Sequence, residues 1–383
     1  MTLGLSAHSY AADLMDIYQQ ALENDTIFKN AYDTYMANAE AIPQARSALL
    51  PQVNLSGKAG RNVLHLNDGV FTVSDQYYNS TMWQLTASQE LFNYKYWAQV
   101  RQAKAYVKAA QATFNDAAQD LILRTAKAYF DVLYAQDTLD FAEAKKRANK
   151  RQYDQAQQRF QVGLDAITSV YEAKAAYDQS IATVIASQNN KENQYENLRK
   201  LTNHVYEALA PLRDSKIPLI KPEPNNVDKW VDTGLKQNYK LFAAKYNLEV
   251  SRENMKALSA GNWPTIALQG TKTQTHNQVN AHNNNPLLPE NQTQANIALA
   301  LNFPVFQGGL VLSQTRQAKH QFQASSEQVE QVYRNVLVNS RIAFNTITDG
   351  ISKNRLGITG RILSTAVNLQ DGFINHTSHA DIT

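Results

Sequence analysis

The sequence predicts a mostly α-helical protein that carries four β-strands and is built from long antiparallel helical hairpins. Three observations predict this fold. The chain has neither glycine nor proline from Asn93 to Val162, and neither returns between Leu164 and Ala210. Runs of about ten alternating apolar and polar residues, as in half-buried strands, occur four times. The order of these elements also repeats once along the chain.

The first glycine-free stretch is rich in alanine and other strong helix formers. Within it, Val107, Ala110, Phe114, Ala117 and Leu121 recur at steps of three or four residues, which is the seam pattern of packed helices. About seventy residues of helix extend roughly 105 Å. The geometry therefore predicts a long helical rod that reverses at Gly163, because glycine permits a tight turn after a helix.

Alternation predicts strands at about 51–66, 77–92, 263–275 and 292–306. The apolar side of the alternation comprises Val53, Leu55, Gly57, Ala59, Trp83, Leu85, Ala87, Ile266, Leu268, Ile297, Leu299, Leu301 and Phe303. Such strands are typical of outer-membrane proteins, with lipid on one side and water on the other. They also occur in half-buried sheets of soluble proteins. Two hairpins cannot close a barrel, so a membrane interpretation requires partner chains.

Aromatic residues cluster where the predicted strands meet the predicted helices. They are Phe92, Tyr94, Trp97, Trp263 and Phe306. An aromatic belt at a membrane interface has this composition, so we expect these five residues at the interface. No stretch approaches roughly 18 apolar residues, and the sequence therefore predicts no transmembrane helix.

The two halves of the chain are similar at an offset of about 214 residues. The segment Asn24–Gly57 parallels Asn238–Gly270, and the tetrapeptide at 101–104 returns unchanged at 316–319. We therefore predict a first repeat at 12–210, with a helical hairpin at 93–210. A proline-rich linker at 211–226 cannot be helical. The second repeat covers 227–350 and contains a long helix from about residue 309.

Both ends of the chain depart from this pattern. Residues 1–11 resemble the remnant of a signal peptide, with Ser9-Tyr10-Ala11 as a small-residue cleavage site; an ordinary N-terminus is the alternative. At the other end, the repeat predicts a second Val-Gly turn near 375–382, which is absent. We expect Gly350, Gly357, Gly360 and Gly372 to interrupt the helix there. A frameshifted or truncated gene, or a short variant, explains a divergent tail at 351–383.

Composition excludes several classes of function. The 383 residues include no cysteine and carry a formal charge of +3, which excludes disulfides and thiol catalysis and does not indicate nucleic-acid binding. Asn and Gln together outnumber Lys and Arg by nearly two to one. Such uncharged polar residues are expected on helices that contact water on more than one side. No phosphate-binding glycine loop or nucleophile elbow is present. His376 and His379 have a spacing that could bind a metal on a helix, but Asp381 is the only carboxylate near them in the sequence. We therefore predict no metal site, and likewise no catalytic or cofactor site.

Four motifs resemble the TolC-like outer-membrane efflux and secretion channels, or outer membrane factors. They lie at 45–51 (ARSALLP), 91–92 (LF), 125–133 (TAKAYFDVL) and 159–170 (RFQVGLDAITSV). The resemblance covers roughly residues 12–350. It implies a homotrimer in which each subunit gives four strands to one transmembrane β-barrel. The paired helices would continue this barrel as a tunnel, an α-barrel with six-fold pseudosymmetry.

The resemblance also implies a function and its partners. The channel would be a passive duct, not an enzyme, for drugs, other small molecules or secreted proteins. It would serve a tripartite efflux pump or a type I secretion system in the outer membrane of a Gram-negative bacterium, with its helices in the periplasm. A periplasmic adaptor (membrane-fusion) protein and an inner-membrane pump or ABC exporter would open it. The alternative function is a soluble or surface-attached coiled-coil structural protein.

Site residues follow from the resemblance position by position. Val162, Gly163 and Leu164 match the hairpin tip that meets the adaptor; the alternative is a helix-reversal glycine flanked by two packing residues. Thr168 and Ser169 match the gating region of the tunnel mouth. The family pattern has an aspartate where this chain has Ser169, which puts the strength of gating in question.

Overall fold

The secondary structure follows the distribution of glycine, proline and capping residues. The computed structural model describes residues 11–64, 76–212, 222–278 and 289–355. Its elements are α1 (Leu14–Asn24), α2 (Thr26–Ala39), α3 (Ala41–Ser47), β1 (Gln52–Leu64), β2 (Gln76–Phe92), α4 (Tyr94–Gln161), α5 (Ile167–Thr202), α6 (Val227–Gln237), α7 (Tyr239–Ser259), β3 (Thr265–Gln278), β4 (Asn291–Asn302) and α8 (Leu310–Arg355). The prediction of a mostly helical chain with four strands is confirmed.

Two aspartates set the ends of the first helices. The side chain of Asp13 accepts hydrogen bonds from the backbone N–H groups of Met15 and Asp16, and Asp16 accepts one from the N–H of Asp13. This reciprocal capping box satisfies N–H groups that lack a partner within the helix. Asp25 is extended and ends α1, and its carboxylate accepts the N–H of Phe28 at 2.7 Å to begin α2.

The longest helices coincide with the stretches that lack helix breakers. Helix α4 contains 68 residues without a glycine or proline, and α5 contains 36. Helix α8 runs for 46 residues, through Gly350 to Arg355. The prediction that Gly350 interrupts this helix is wrong, because one glycine inside a long helix costs only about 1 kcal/mol. The other three glycines of that prediction, and the predicted divergence beyond 355, lie outside the described residues.

The chain divides into two compact units, whose boundaries fall inside α2, α4, α7 and α8. The first unit contains the described residues of 1–34, 112–241 and 333–383. Its core brings together side chains from α1, α4, α5 and the segment after α5. They are Ile17, Tyr129, Phe130, Val132, Leu198 and Leu209. The Tyr129 hydroxyl donates to the carbonyl of Ala210, so this segment is tied to α4 by a polar contact as well as by packing.

The second unit contains 35–111 and 242–332 and includes the sheet. Its four strands lie in the order β1-β2-β3-β4, and each neighbouring pair is antiparallel. The β2–β3 pair joins the hairpins of the two repeats, with Ala87 opposite Gly270. A register shift between Glu90 and Phe92 interrupts this pairing next to the helical end of β2.

Candidate functional site

The register of the sheet places the apolar residues of all four strands on one face. Directly opposed residues in antiparallel strands share a face. Val53 lies opposite Ala87, which lies opposite Gly270, which lies opposite Ile297. Two residues along each strand, Leu55 and Leu85 are also opposed. The sequence shows alternation only within each strand. The register joins the apolar residues of the four strands into one continuous surface, which we call the apolar face.

The apolar face is open to its surroundings. Ile297 is 84% exposed, Leu299 66% and Leu301 69%. Along β2 the exposure alternates, so that Trp83, Leu85 and Ala87 are exposed while their polar neighbours are half-buried. A sheet of a soluble protein buries its apolar face on a core and wets the other. Along β2 this pattern is inverted, which argues for an apolar environment outside the sheet.

Both edges of the sheet are open as well. Within the four described ranges, no strand pairs with the outer edge of β1 or of β4. These edges are long, since β1 contains 13 residues and β4 contains 12. Unpaired edges of this length invite pairing with another chain. In lipid, such pairing is required, because water is absent to satisfy the backbone N–H and C=O groups.

The predicted interface aromatics occupy the junction of strands and helices in two different ways. The rings of Tyr94 and Trp263 stack with centroids 4.7 Å apart, and the guanidinium of Arg101 lies 5.4 Å from the centroid of Tyr94. These contacts join the start of α4 to the start of β3. Phe92, Trp97 and Phe306 have exposed side chains, and Trp263 is 47% exposed as well as stacked.

A buried carboxylate supports this junction, and the sequence analysis did not identify it. Arg101 donates to Glu253 at 2.6 Å, Lys256 binds the other carboxylate oxygen, and only 3% of the Glu253 side chain is exposed. Burial raises the pKa of Glu253, but hydrogen bonds from Lys256 and Arg101 outweigh it and hold this pKa below its ordinary value. The only local signal in the sequence is the i,i+3 spacing of Glu253 and Lys256 on one helix.

The turn between α4 and α5 is a Schellman motif. The N–H of Leu164 donates to the carbonyl of Arg159 at 2.8 Å, and the N–H of Gly163 donates to the carbonyl of Phe160 at 2.9 Å. Gly163 has φ +75°, a left-handed conformation that strongly favours glycine. The flanking side chains project away from the protein, with Val162 70% and Leu164 71% exposed. The three predicted tip residues therefore form an ordered turn with two exposed apolar side chains.

Asp165 organises the residues that follow the turn. Its Oδ1 accepts hydrogen bonds from the N–H of Ala166 and from the hydroxyl of Ser169, each at 2.9 Å. The bond from Ser169 is the main cause that lowers the pKa of Asp165 below its ordinary value. Of the two predicted gating residues, Ser169 is engaged in this local hydrogen bond, whereas Thr168 has an exposed side chain.

Two features are absent from the described part of the chain. No helix there is both long enough and apolar enough to cross a membrane. Among the same residues, no group of three or more His, Cys, Asp or Glu side chains is arranged to hold a metal ion. His376 and His379, considered in the sequence analysis, lie outside the described residues.

Comparisons with known proteins agree on one kind of molecule. The family model described as outer membrane efflux protein matches residues 17–204 and 230–356. Outer membrane protein TolC of Vibrio cholerae is 35% identical over 352 residues, which cover 92% of this chain and 78% of that protein. Outer membrane protein TolC of Escherichia coli is 34% identical over 355 residues, covering 91% and 70%.

The chain is also similar to a secretion protein and to a solved channel structure. The alkaline protease secretion protein AprF of Pseudomonas aeruginosa is 26% identical over 358 residues, covering 92% of this chain and 73% of that protein. The structure of the outer-membrane channel OprN superposes with a TM-score of 0.73 at 19% identity, covering 93% of this chain and 84% of the other. That superposition shows the similarity of the fold.

Proposed function

The chain belongs to the outer membrane efflux protein family, and from this premise we propose that three copies assemble into one export channel. The protein is an outer-membrane efflux or type I secretion channel of a Gram-negative bacterium. Members of its family are passive channels, and such channels act with partner proteins in pumps or secretion systems.

The exposed apolar face with its two open edges is the observation that carries the proposal. A four-stranded sheet is too small to close on itself, since the smallest outer-membrane barrels contain about eight strands. Three copies supply three times four strands, and pairing β4 of one copy with β1 of the next satisfies every edge. The apolar face then meets lipid, and the polar face lines water. In water alone, this face would favour aggregation, which argues against a soluble coiled-coil structural protein.

The aromatic residues at the helical ends of the strands fit the periplasmic interface of such a channel. Trp and Tyr prefer the headgroup level, where the ring is buried and the polar atom is wetted. The stacked pair Tyr94–Trp263 is anchored to Arg101, while Phe92, Trp97 and Phe306 are exposed. We assign these five residues to the interface, with the long helices continuing into the periplasm.

The turn at Gly163 is the docking point for a periplasmic adaptor in this proposal. Val162 and Leu164 offer two exposed apolar side chains on a turn fixed by two backbone hydrogen bonds. An ordered apolar knob loses little conformational entropy on binding, so it suits a helical groove of a partner. Through the adaptor the channel would couple to an inner-membrane pump or ABC exporter.

Thr168 and Ser169 lie one turn from this knob, at the start of α5. We propose that they contribute to gating at the tunnel mouth, which opens when the partners engage. Ser169 already donates its hydroxyl to Asp165 of the same chain at 2.9 Å. A bond from Ser169 to another subunit would therefore compete with this local bond, and gating at this position would be weak.

The mass of the detergent-extracted particle tests the assembly. The protein is purified from outer membranes, and light scattering corrected for detergent gives the protein mass. We expect about three times the 43.0 kDa of one chain, and a gel band that shifts to the monomer only after heating. A freely soluble monomer that needs no detergent would overturn the proposal. Co-purification with a cross-linked adaptor, tested in the same extract, examines the partner separately.

A further inference from the structure

We propose that Lys272 marks the outer limit of membrane contact on β3 and binds phosphate groups of lipids in the outer leaflet. The inference rests on the proposed function, because it takes the apolar face as the surface that meets lipid. It adds a binding site and its ligand class, an anionic lipid headgroup. In the sequence, Lys272 is an ordinary lysine in an alternating strand, and only the register of the sheet shows which face it lies on.

The register places Lys272 on the apolar face. It lies opposite Leu85 of β2 and opposite Ala295 of β4. Its side chain is exposed, and no ion-pair partner is found for it within the described part of the chain. An ammonium group on a lipid-facing surface is costly unless it reaches the headgroups.

Lys272 lies where the residues on the apolar face change from apolar to polar along β3 and β4. Towards the helices, β3 presents Ile266 and Leu268 on this face, opposite Leu301 and Leu299 of β4. Away from the helices the same face presents residues with polar side chains. They are Gln274 and His276 of β3, opposite Thr293 and Asn291 of β4. The boundary between apolar and polar rows therefore falls at the row of Lys272.

The height of the apolar face fits this boundary. From Ile266 to Lys272 the strand extends about 20 Å, or roughly 14 Å of membrane depth at a tilt near 45°. Exposed apolar residues continue beyond the strand end, at Phe303 and Val305, towards the interface residue Phe306. Together these rows approach the apolar band of about 25 Å in outer-membrane proteins. A band centred on the strands would instead place Lys272, Gln274 and His276 in hydrocarbon.

Trp83 supports the same boundary from the neighbouring strand. It lies opposite Gln274 and therefore diagonal to Lys272 on the apolar face. A Cβ at Gly57 would lie 3.2 Å from the Trp83 ring, so the indole covers this glycine and stays on the face. Tryptophan prefers the interface between hydrocarbon and headgroups, and lysine extends its ammonium to the same level.

Single cysteines test the depth, because the chain has no cysteine of its own. Spin labels are placed in the full chain through the substitutions Leu268→Cys, Lys272→Cys and His276→Cys, and the trimer is reconstituted in lipid. Accessibility to oxygen and to a water-soluble nickel chelate then reports depth. We expect label 268 in hydrocarbon, 272 at the phosphates and 276 in water. If 272 and 276 are as deep as 268, the inference fails while the proposed function stands; if 268 is in water, the proposed function fails.

Lipid retention tests the binding itself. Trimers with Lys272→Gln, or with Lys174→Gln on the exposed surface of α5 as the matched control, are placed in nanodiscs of equal parts phosphatidylcholine and phosphatidylglycerol. Native mass spectrometry counts the phosphatidylglycerol that remains bound. We expect about fivefold weaker retention for Lys272→Gln and no change for Lys174→Gln. Equal retention would overturn the inference, as would zero-length cross-linking of Lys272 to a carboxylate of a second copy.

Discussion

Arg124 binds both carboxylate oxygens of Asp25, at 2.9 and 3.1 Å, across 99 residues of sequence. The Asp25 side chain is only 3% exposed, and its Oδ1 also caps α2 through the N–H of Phe28. One ion pair therefore fixes the break between α1 and α2 against the middle of α4.

Replacing Asp25 by Asn should destabilise the protein by about 3 kcal/mol, because it leaves the charge of Arg124 without its buried partner. Asn retains the helix cap, so the change isolates the ion pair. Asp120 binds the same guanidinium but is 54% exposed, and Asp120→Asn should cost less than about 1 kcal/mol. Chemical unfolding of the solubilised protein measures both values.

The same pair predicts the pH dependence. Burial raises the pKa of Asp25, but hydrogen bonds and the charge of Arg124 outweigh it and leave this pKa below its ordinary value. The stabilisation is therefore complete above the ordinary pKa of an aspartate and is lost as the pH falls through the lowered value. Asp25→Asn should lack this acid-dependent loss; an unchanged acid transition would contradict the assignment.

Gly163→Ala should destabilise the turn between α4 and α5 by about 1–2 kcal/mol, because a Cβ is unfavourable in the left-handed conformation. Nothing lies within 4 Å of a Cβ built at this position, so the cost comes from the backbone and not from a clash. Asn tolerates this conformation, and Gly163→Asn should cost less. Hydrogen exchange at Val162 and Leu164 reports the opening of the turn; equal exchange in both variants would argue against backbone strain.

Ser169→Ala should raise the pKa of Asp165 towards its ordinary value, because the hydroxyl of Ser169 is the main group that lowers it. The adjacent substitution Thr168→Ala should leave this pKa unchanged. An NMR titration of the Asp165 carboxylate compares the two variants. A shift of equal size in both would mean that Asp165 responds to general loosening of the turn and not to the hydrogen bond.

Leu164→Ser should weaken adaptor-dependent efflux at least tenfold while leaving the fold intact, because the side chain is 71% exposed and supports no core. Leu123 on α4 is 60% exposed and provides the matched control, Leu123→Ser. Drug susceptibility of cells that express each variant, at equal channel abundance, measures the effect. Equal loss in both variants would remove Leu164 from the docking surface. The tenfold estimate corresponds to about 1.4 kcal/mol of lost apolar contact.

Much of the fold could be predicted because it depends on short-range patterns. The alternation around Leu55 and Leu299 and the absence of glycine before Gly163 are local properties. The predicted bounds of β2, 77–92, differ by one residue from the observed Gln76–Phe92, whereas β4 ends at Asn302 and not at the predicted 306. The sequence predicts an interruption at Gly350 because glycine disfavours helix locally. The stability of the helical residues on both sides, which outweighs this cost, is not a local property.

Properties that depend on distant parts of the chain could not be predicted. The opposition of Ala87 to Gly270 joins the two repeats. The alternation restricts this register to steps of two residues, but no hairpin turn connects β2 to β3 to select one of them. The significance of Lys272 follows only from that register. The pairing of Asp25 with Arg124, and of Glu253 with Arg101, is likewise visible only once the helices are packed. The hydrogen bond from Ser169 to Asp165 has an i,i+4 spacing and was within reach of sequence reasoning.

A pair of arginine substitutions at adjacent positions tests most directly whether the apolar face meets lipid. Leu299 lies on the apolar face opposite Leu268, and Ala298 lies on the polar face opposite Gln269. The measurement is the free energy of folding into phospholipid vesicles. We predict that Leu299→Arg costs about 2–4 kcal/mol, as for arginine in the middle of a lipid-facing strand, and that Ala298→Arg costs less than about 1 kcal/mol because its side chain reaches water. Equal costs at the two positions, or a larger cost at Ala298, would contradict the account.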